Sequence, residues 1–172
     1  LHNFVIDMAV NLDKNPEELN PKEFGPEEKY MLSKLNSTIK KVTEKFDKYH
    51  LNEVSWDLEE LFMELSRTYI QLVREKINTG TNDEKDAVLF TVYSTVKELL
   101  KMMCPITPMI VEQMYFNFKE EFGLKEESIH LFDWPKHDSK LINKELESVF
   151  DNAKDVIQAM LGAREKAQSG TR

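Results

Sequence analysis

The chain has 172 residues, a net charge of −8 and a pI near 5.1, with 41% hydrophobic and 31% charged residues. This composition predicts one globular domain with a sizeable core, and it argues against both intrinsic disorder and non-specific nucleic-acid binding. No apolar run reaches the roughly 20 residues of a membrane span, and the single cysteine, Cys104, excludes an internal disulfide and fits a reducing cytosol.

The apolar periodicity predicts one short opening helix and five long helices. In chain order they cover about 1–13, 26–49, 53–78, the stretch between a capping box at Thr81 and a stop at Pro105, about 108–122, and about 140–167. Gly80 and Gly123 are placed to end two of them, and Pro26 suits a first helical turn.

The segments between the helices contain no sustained period-two alternation, so we expect no sheet. Residues 14–25 are predicted to form a loop, and residues 124–139 hold a short extended run at Ile129–Pro135. The fold class is therefore all-α: an antiparallel bundle of about five to six helices in a single domain, 1–172, with an irregular segment before the last helix.

Each predicted helix carries apolar residues at steps of three and four, which indicates its buried face. These are Val5, Met8 and Leu12; Leu32, Leu35, Ile39, Val42, Phe46 and Tyr49; Val54, Leu58, Leu61, Leu65, Leu72 and Ile77; Leu89, Val92, Val96, Leu99 and Met103; Ile110, Met114, Phe118 and Phe122; and Ile142, Leu146, Val149, Ala153, Val156 and Met160.

The most specific polar pattern is Arg67, Gln71 and Arg74, spaced four and three residues apart. Side chains at this spacing share one face of a helix, and arginine forks match phosphate groups and base edges. The cluster therefore predicts an anionic partner such as phosphate. The alternative is local pairing with Glu64, Glu75 or the acids of a neighbouring helix.

Charge is segregated just before this cluster. Residues 34–48 carry five lysines against two acids, and residues 51–65 carry five acids and no base. Lys34, Lys41, Lys45 and Lys48 recur at steps of seven, four and three, which aligns them on one helix face. Such a ridge is suited to an RNA backbone, and the alternative is a solvated face opposite the apolar seam.

Three aromatic residues, Trp56, Tyr69 and Trp134, are candidates for stacking on unpaired bases. Aromatic residues in a helical bundle are more often core or lid residues, which is the alternative for all three.

Metal and catalytic chemistry find no support in the sequence. His130, Asp133 and His137 crowd one loop, but their spacing matches no zinc or two-histidine template. Asp133–Pro135 is expected to fasten that loop onto the bundle. The chain has no phosphate-binding glycine loop, no Gly-x-Ser-x-Gly elbow and no His-Glu-x-x-His helix. Cys104 is expected to be an inert packing cysteine.

Three segments together resemble the class I isoleucyl-tRNA synthetases, especially the archaeal and eukaryotic type. Leu65–Arg74 (Leu-Ser-Arg-Thr-Tyr-Ile-Gln-Leu-Val-Arg) resembles their Leu-Ser-Arg-Trp-Tyr-Ile helix. Cys104–Tyr115 is similar to their Ala-Pro-Ile-x-Pro-Phe-x-x-Glu-x-x-Tyr junction, and Ser128–Pro135 is similar to their Ser-Val-His-Leu-x-x-Trp-Pro loop. Thr68 stands where the family usually has Trp, and Met109 where it usually has Phe.

Both ends of the chain also fit this resemblance. Leu1–Asn3 resembles the helix that leads out of the family's catalytic domain, and Ala163–Ala167 resembles the segment that introduces its C-terminal region. Since the chain opens at Leu1 without an initiator Met, we expect it to be part of a longer protein, with its last helix leading toward a missing C-terminal region.

The resemblance implies a helical anticodon-binding domain that follows a catalytic domain. The family's ATP-site signatures, His-Ile-Gly-His and Lys-Met-Ser-Lys-Ser, are absent from all 172 residues, so we expect no cofactor and no catalytic activity here. The implied partners are the anticodon stem-loop of isoleucine tRNA and, in the full chain, catalytic and editing domains that use ATP and Mg²⁺. A cytoplasmic monomer without membrane contact is implied as well.

Together with the charge pattern, the resemblance assigns roles to the polar residues. The expected RNA-binding residues are Arg67, Gln71 and Arg74, with Lys41 and Lys45 as electrostatic support and Asn3 for a base edge; Asn3 rests on the resemblance alone. The alternatives are the corresponding domain of a valyl, leucyl or methionyl relative, and an acidic helical module that binds proteins. A four-helix metal enzyme would need paired Glu-x-x-His motifs, which are absent from the sequence.

Overall fold

The computed structural model describes residues 1–167. All regular elements among them are helical and none is a β-strand, which confirms the all-α prediction. The α-helices are α1 (His2–Leu12), α2 (Pro26–Asp47), α3 (Leu51–Met63), α4 (Ile70–Leu72), α5 (Arg74–Thr79), α6 (Asn82–Met103), α7 (Pro108–Phe122) and α8 (Lys144–Lys166). A π-helical turn, Glu64–Tyr69, joins α3 to α4, and a 3₁₀ turn spans Ile129–Leu131.

The chain divides into two compact units, Leu1–Ile142 and the part from Asn143 onward. The first unit holds α1 to α7, and the second holds α8. The predicted domain extends to residue 172, and residues 168–172 lie outside the described part. No helix in residues 1–167 is long and apolar enough to cross a membrane.

Local signals explain where most helices begin and end. Gly25 precedes α2, whose first residue is Pro26. The Thr81 hydroxyl accepts a hydrogen bond from the Glu84 backbone N–H while the Glu84 carboxylate accepts one from the Thr81 N–H, so the predicted capping box opens α6. Gly123 ends α7 in the left-handed conformation, with φ 67°. The last helix begins later than predicted, because the Asn143 side chain caps the Leu146 N–H.

Helix α6 is the centre of the first unit. It packs against α1, α2, α3, α5 and α7, and a helix surrounded on most sides should be apolar around most of its circumference. Its buried apolar residues are Ala87, Val88, Leu89, Val92, Tyr93, Val96, Leu99, Leu100 and Met102. The core predicted for this helix is therefore largely confirmed.

The predicted helix 53–78 is not continuous, and this changes which of its residues are buried. Leu61, Leu65, Tyr69 and Val73 are all buried at steps of four. An α-helix advances 3.6 residues per turn, so such a run would drift off the core, whereas the wider π turn keeps it aligned. The heptad pattern predicted Leu72 as a core residue, and this was wrong: Leu72 is 41% exposed and Val73 is fully buried.

Three other predicted faces also needed correction. In α7 the buried side runs through Val111 and Tyr115, while Ile110 is 59% exposed. Tyr49 lies beyond the end of α2 and is almost fully exposed. In the second unit Val149, Val156 and Met160 of α8, which were predicted as a buried face, are largely exposed.

Within the first unit, the loop that precedes α8 is fastened to the helices by polar contacts as well as by apolar packing. The Glu112 carboxylate accepts hydrogen bonds from the Ser128 hydroxyl (2.9 Å) and the Ile129 N–H (3.2 Å). The Trp134 Nε1–H donates to the Thr43 hydroxyl at 2.9 Å. The Trp134 contact agrees with the fastening role predicted for Asp133–Pro135, although the predicted extended run begins with the 3₁₀ turn Ile129–Leu131.

Candidate nucleic-acid interface

The predicted arginine cluster lies on the solvent side of the rod formed by α3, the π turn, α4 and α5. Arg67 is in the π turn, Gln71 is in α4, and Arg74 is the first residue of α5. All three are exposed. Arg67 and Gln71 each follow a buried residue, Leu65 or Tyr69, by two positions, so both point away from the core on one side. Arg74 follows the break at Val73, so its direction is set by a new helix.

Neither arginine is paired with a carboxylate in the part of the chain that the structure describes. The nearest candidate in sequence, Glu64, already accepts a hydrogen bond from the buried Tyr30 hydroxyl at 2.6 Å. The structure therefore does not show the alternative that the sequence left open, in which these arginines pair with nearby carboxylates. Two exposed guanidinium groups with unused donors are suited to a phosphate or a base edge supplied by a partner.

The π turn Glu64–Tyr69 explains how neighbouring residues of one short segment can contribute to the core and to the exposed arginine cluster. It holds Leu65 and Tyr69 in the core and presents Arg67 between them to solvent. Short π segments inside α-helices frequently occur at functional sites. Thr68, where the resembling family has Trp, is only partly buried in the same turn.

Lys41 and Lys45, the lysines expected to give electrostatic support, have carboxylate partners within the bundle. Asp57 is held by both, at 2.7 Å from Lys41 Nζ and 2.6 Å from Lys45 Nζ, and Glu53 lies 3.0 Å from Lys45 Nζ. The lysines of residues 34–48 lie on α2 and the acids of residues 51–65 lie mainly on α3. Because the two helices run antiparallel, these opposite charges form ion pairs between them. Lys41 stays 54% exposed, and any contact of these lysines with RNA remains a prediction.

Pairing with two lysines shifts the pKa of Asp57. Burial by itself raises the pKa of this carboxyl, but the contacts with Lys41 and Lys45 outweigh burial and hold its pKa below the ordinary value of 3.8. A carboxyl whose pKa is lowered on folding stabilises the protein above its ordinary pKa, and this stabilisation is lost as pH falls through the folded-state pKa.

Asp57→Asn is therefore expected to lower the free energy of unfolding by about 1–2 kcal/mol at neutral pH, allowing for the solvent exposure of Lys41. The difference from the unchanged protein should be constant above about pH 5 and shrink as the pH falls below 4. Urea unfolding across this range measures it, with Asp133→Asn, an exposed carboxylate, as the control. A difference that persists unchanged at acid pH would contradict the assignment.

Asn3 is exposed in the first turn of α1, as a base-reading residue would be. Its Oδ1 lies 2.8 Å from Nδ1 of His2. Helix α1 packs against α6 and α7, whereas the π turn that carries Arg67 packs against α2. The two residues therefore lie on elements with different neighbours, and contact of Asn3 with a base edge remains a prediction.

The three aromatic candidates have separate roles in the structure. Tyr69 is fully buried, and its hydroxyl lies 3.4 Å from Glu28 Oε1. Trp134 is half-buried, donates to Thr43, and packs edge-on against Phe46 with the ring centroids 5.2 Å apart. Trp56 is 73% exposed. Only Trp56 of these three presents a ring face for stacking, which the sequence alone could not show.

The remaining candidates do not form a reactive site. Within residues 1–167 no group of three His, Cys, Asp or Glu side chains is placed to hold a metal ion. His130 lies 3.8 Å from the Glu112 carboxylate, which fastens its loop. Burial raises the pKa of the Cys104 thiol, and Glu112 acts in the same direction, so the thiol is a weak nucleophile at neutral pH.

A surface cavity of about 830 Å³ lies between the loop before α2 and the start of α6. Its charged lining residues are Lys22, Glu23, Glu28, Lys76, Asp83, Glu84 and Asp86. Lys76 is already paired with Glu27 and Glu28, so acids dominate the cavity. It therefore does not suit phosphate, and the arginine cluster remains the better candidate for an anion site.

The structure defines the class of the protein as an all-helical bundle, and two exposed guanidinium groups without a carboxylate partner among the described residues lie on one of its helical rods. Residues 28–172 match the family model described as the anticodon-binding domain of tRNA ligase, and the chain belongs to that family. The resemblance inferred from the sequence motifs is thereby confirmed.

The curated relatives of the chain include isoleucine–tRNA ligases of archaea. The protein of Thermococcus kodakarensis is 36% identical over 164 residues, which is 92% of this chain and 15% of the relative. That of Methanopyrus kandleri is 34% identical over 172 residues (96% and 16%), and that of Pyrococcus abyssi is 34% identical over 164 residues (92% and 15%). The chain thus spans about one sixth of the length of these relatives.

Proposed function

We propose that this domain binds the anticodon stem-loop of isoleucine tRNA and holds it while a catalytic domain of the same ligase charges the acceptor end. The observation that carries the proposal is the unpaired, exposed pair Arg67 and Arg74 in a chain that belongs to an anticodon-binding family. The names of the relatives favour isoleucine over the valyl, leucyl and methionyl alternatives.

The chemistry of the rod suits unpaired RNA. Each guanidinium donates parallel hydrogen bonds to phosphate oxygens or to a guanine edge, and the Gln71 amide both donates and accepts. Anticodon bases present their edges only when they are splayed out of a stack, and a bundle of packed helices keeps the reading side chains in place. The proposal includes a cytoplasmic monomer in which ATP and Mg²⁺ serve the catalytic domain and editing belongs to a further domain.

The double variant Arg67→Ala/Arg74→Ala is expected to weaken binding of an isoleucine anticodon hairpin by about tenfold to hundredfold, because two charged hydrogen-bonding groups are lost. The slope of log affinity against log salt should fall by about 1–2. Fluorescence anisotropy across a salt series measures both quantities.

Two further variants make this test specific. Lys119→Ala/Lys125→Ala removes the same charge from the end of α7 and beyond and should leave binding nearly unchanged. Arg67→Lys/Arg74→Lys should keep the salt slope but not the full affinity, since lysine lacks the planar fork. Unchanged binding in the Arg→Ala double variant would refute the proposal. A large fall in its melting temperature would show instead that the two arginines are structural.

A further inference from the structure

The turn between α2 and α3 contains a tyrosine where the backbone favours glycine. Tyr49 has φ 60°, in the left-handed region. The His50 N–H donates to the Lys45 carbonyl at 2.9 Å and the Tyr49 N–H to the Phe46 carbonyl at 3.0 Å. This is the helix-ending motif whose left-handed residue is usually glycine, because a Cβ there meets the carbonyl oxygen of its own residue.

The other left-handed helix ends in the described chain use residues that tolerate this conformation. Asp13 follows α1, and Gly123 follows α7. Tyrosine is less tolerant, and its side chain gains nothing from packing, since Tyr49 is 86% exposed. The conformation therefore costs stability and directs an aromatic ring into solvent.

A second exposed ring lies close along the chain. Trp56, 73% exposed, is one and a half turns into α3, about 8 Å along the axis from Leu51. Trp56 follows the buried Val54 by two positions, as Arg67 follows Leu65, so both lie on the same side of the rod. The rise between them is about 16 Å.

The charges around these rings include both signs. Lys48 and His50 flank Tyr49 in sequence, and both are exposed. Asp47 lies on the same turn, and Glu59 and Glu60 lie one turn beyond Trp56. Two other nearby acids, Glu53 and Asp57, are already paired with lysines of α2. An extended strand could therefore run from the free arginines toward the two rings with limited repulsion from carboxylates.

We infer that Tyr49 and Trp56 form a stacking platform for unpaired nucleotides of the RNA whose phosphates Arg67 and Arg74 bind. This inference rests on the proposed function. Base–aromatic stacking accepts any base, so the platform would add affinity for single-stranded loops without adding sequence selectivity. A paired duplex hides its base faces and would not use it.

The inference predicts that stability and binding change in opposite directions at Tyr49. Tyr49→Gly should raise the melting temperature by about 2–4 °C, because it relieves the left-handed conformation, yet it should weaken binding of the isoleucine anticodon hairpin by about fivefold to a hundredfold. Tyr49→Asn removes the ring and keeps a Cβ, and should weaken binding to the same degree. Trp56→Ala should weaken binding similarly with the melting temperature unchanged.

A fully paired duplex and a distant ring provide the controls. None of these substitutions should change binding of a duplex with the same stem. Phe116→Ala, which removes a half-exposed ring from α7, should change the binding affinity for neither the hairpin nor the duplex. In a Trp134→Phe background Trp56 is the single tryptophan, and its fluorescence should be quenched by the hairpin but not by the duplex.

The outcomes separate this inference from the proposed function. Full hairpin affinity in Tyr49→Gly and Trp56→Ala, with weakened affinity in Arg67→Ala/Arg74→Ala, would overturn the platform and leave the anticodon proposal standing. Equal losses for hairpin and duplex would also overturn it. Full hairpin affinity in Arg67→Ala/Arg74→Ala would overturn both the platform and the anticodon proposal.

Discussion

Lys76→Ala is expected to lower the free energy of unfolding by about 3 kcal/mol, since it leaves a buried carboxylate without its counter-ion. Glu28 is only 1% exposed, and Lys76 Nζ lies 3.0 Å from its Oε2 and 2.7 Å from Glu27 Oε2. Burial by itself lowers the pKa of Lys76, but Glu27 and Glu28 outweigh burial and hold that pKa above its ordinary value, so the lysine stays charged at neutral pH.

The melting temperature should fall by about 6–12 °C, which thermal unfolding by circular dichroism measures. Adding Glu28→Gln to Lys76→Ala removes the stranded charge and should recover part of the loss. Lys29→Ala, an exposed lysine of α2, is the control. A Lys76→Ala protein as stable as the Lys29→Ala control would show that solvent reaches Glu28.

Gly25, which precedes α2, lies next to the ion pair of Glu28 and Lys76. A Cβ at Gly25 would lie 2.6 Å from both Glu28 Oε2 and Lys76 Nζ, so a larger residue here would displace the ends of these two side chains and disturb their ion pair. Together, Gly25, Glu28 and Lys76 join the first turn of α2 to α5. This contact supports the end of the rod that presents Arg74.

Leu65→Ala and Leu72→Ala are expected to have very different effects although they make the same chemical change. The residues are seven apart, and a continuous heptad would bury both equally. With the π turn between them, Leu65 is fully buried and Leu72 is 41% exposed. Leu65→Ala should therefore cost about 2–5 kcal/mol through lost burial and a cavity, and Leu72→Ala less than about 1 kcal/mol.

Urea unfolding of the two variants at one pH measures this difference directly. Val73→Ala is the complementary variant, because Val73 occupies the buried position that the heptad assigned to Leu72, and it should destabilise more than Leu72→Ala. Equal costs at positions 65 and 72 would mean that α3 to α5 form one regular helix in solution, and that the placement of Arg67 relative to the core must be revised.

Helix identity and helix ends followed from short-range patterns. Pro26, the Thr81 capping box and Gly123 act within one turn of the chain, so neighbouring residues are enough to locate them. Apolar periodicity likewise predicted the seams of α1, most of α2, and α6. The arginine cluster was found by the same means, because its residue types and spacing are unusual for an acidic chain.

Where a helix carries two adjacent apolar stripes, the sequence did not show which of the two is buried. Helix α7 offers Ile110 and Met114 beside Val111 and Tyr115. The second pair is buried because Tyr115 packs edge-on against Phe132, with the ring centroids 5.6 Å apart, and donates its hydroxyl to the Glu126 carbonyl. Both partners lie in the loop after the helix, so periodicity within α7 carries no information about them.

The amino-acid sequence by itself determined that this protein is a helical bundle, where most of its helices start and stop, and which family it resembles, but it did not show that the helix predicted over 53–78 is broken. Tertiary structure decided that Lys41 and Lys45 pair with Asp57, that Arg67 and Arg74 stay unpaired, and that Trp56 rather than Tyr69 faces solvent. The physical reason is range: capping and periodicity depend on residues a turn or two away, whereas burial and ion pairing depend on which distant segment packs alongside.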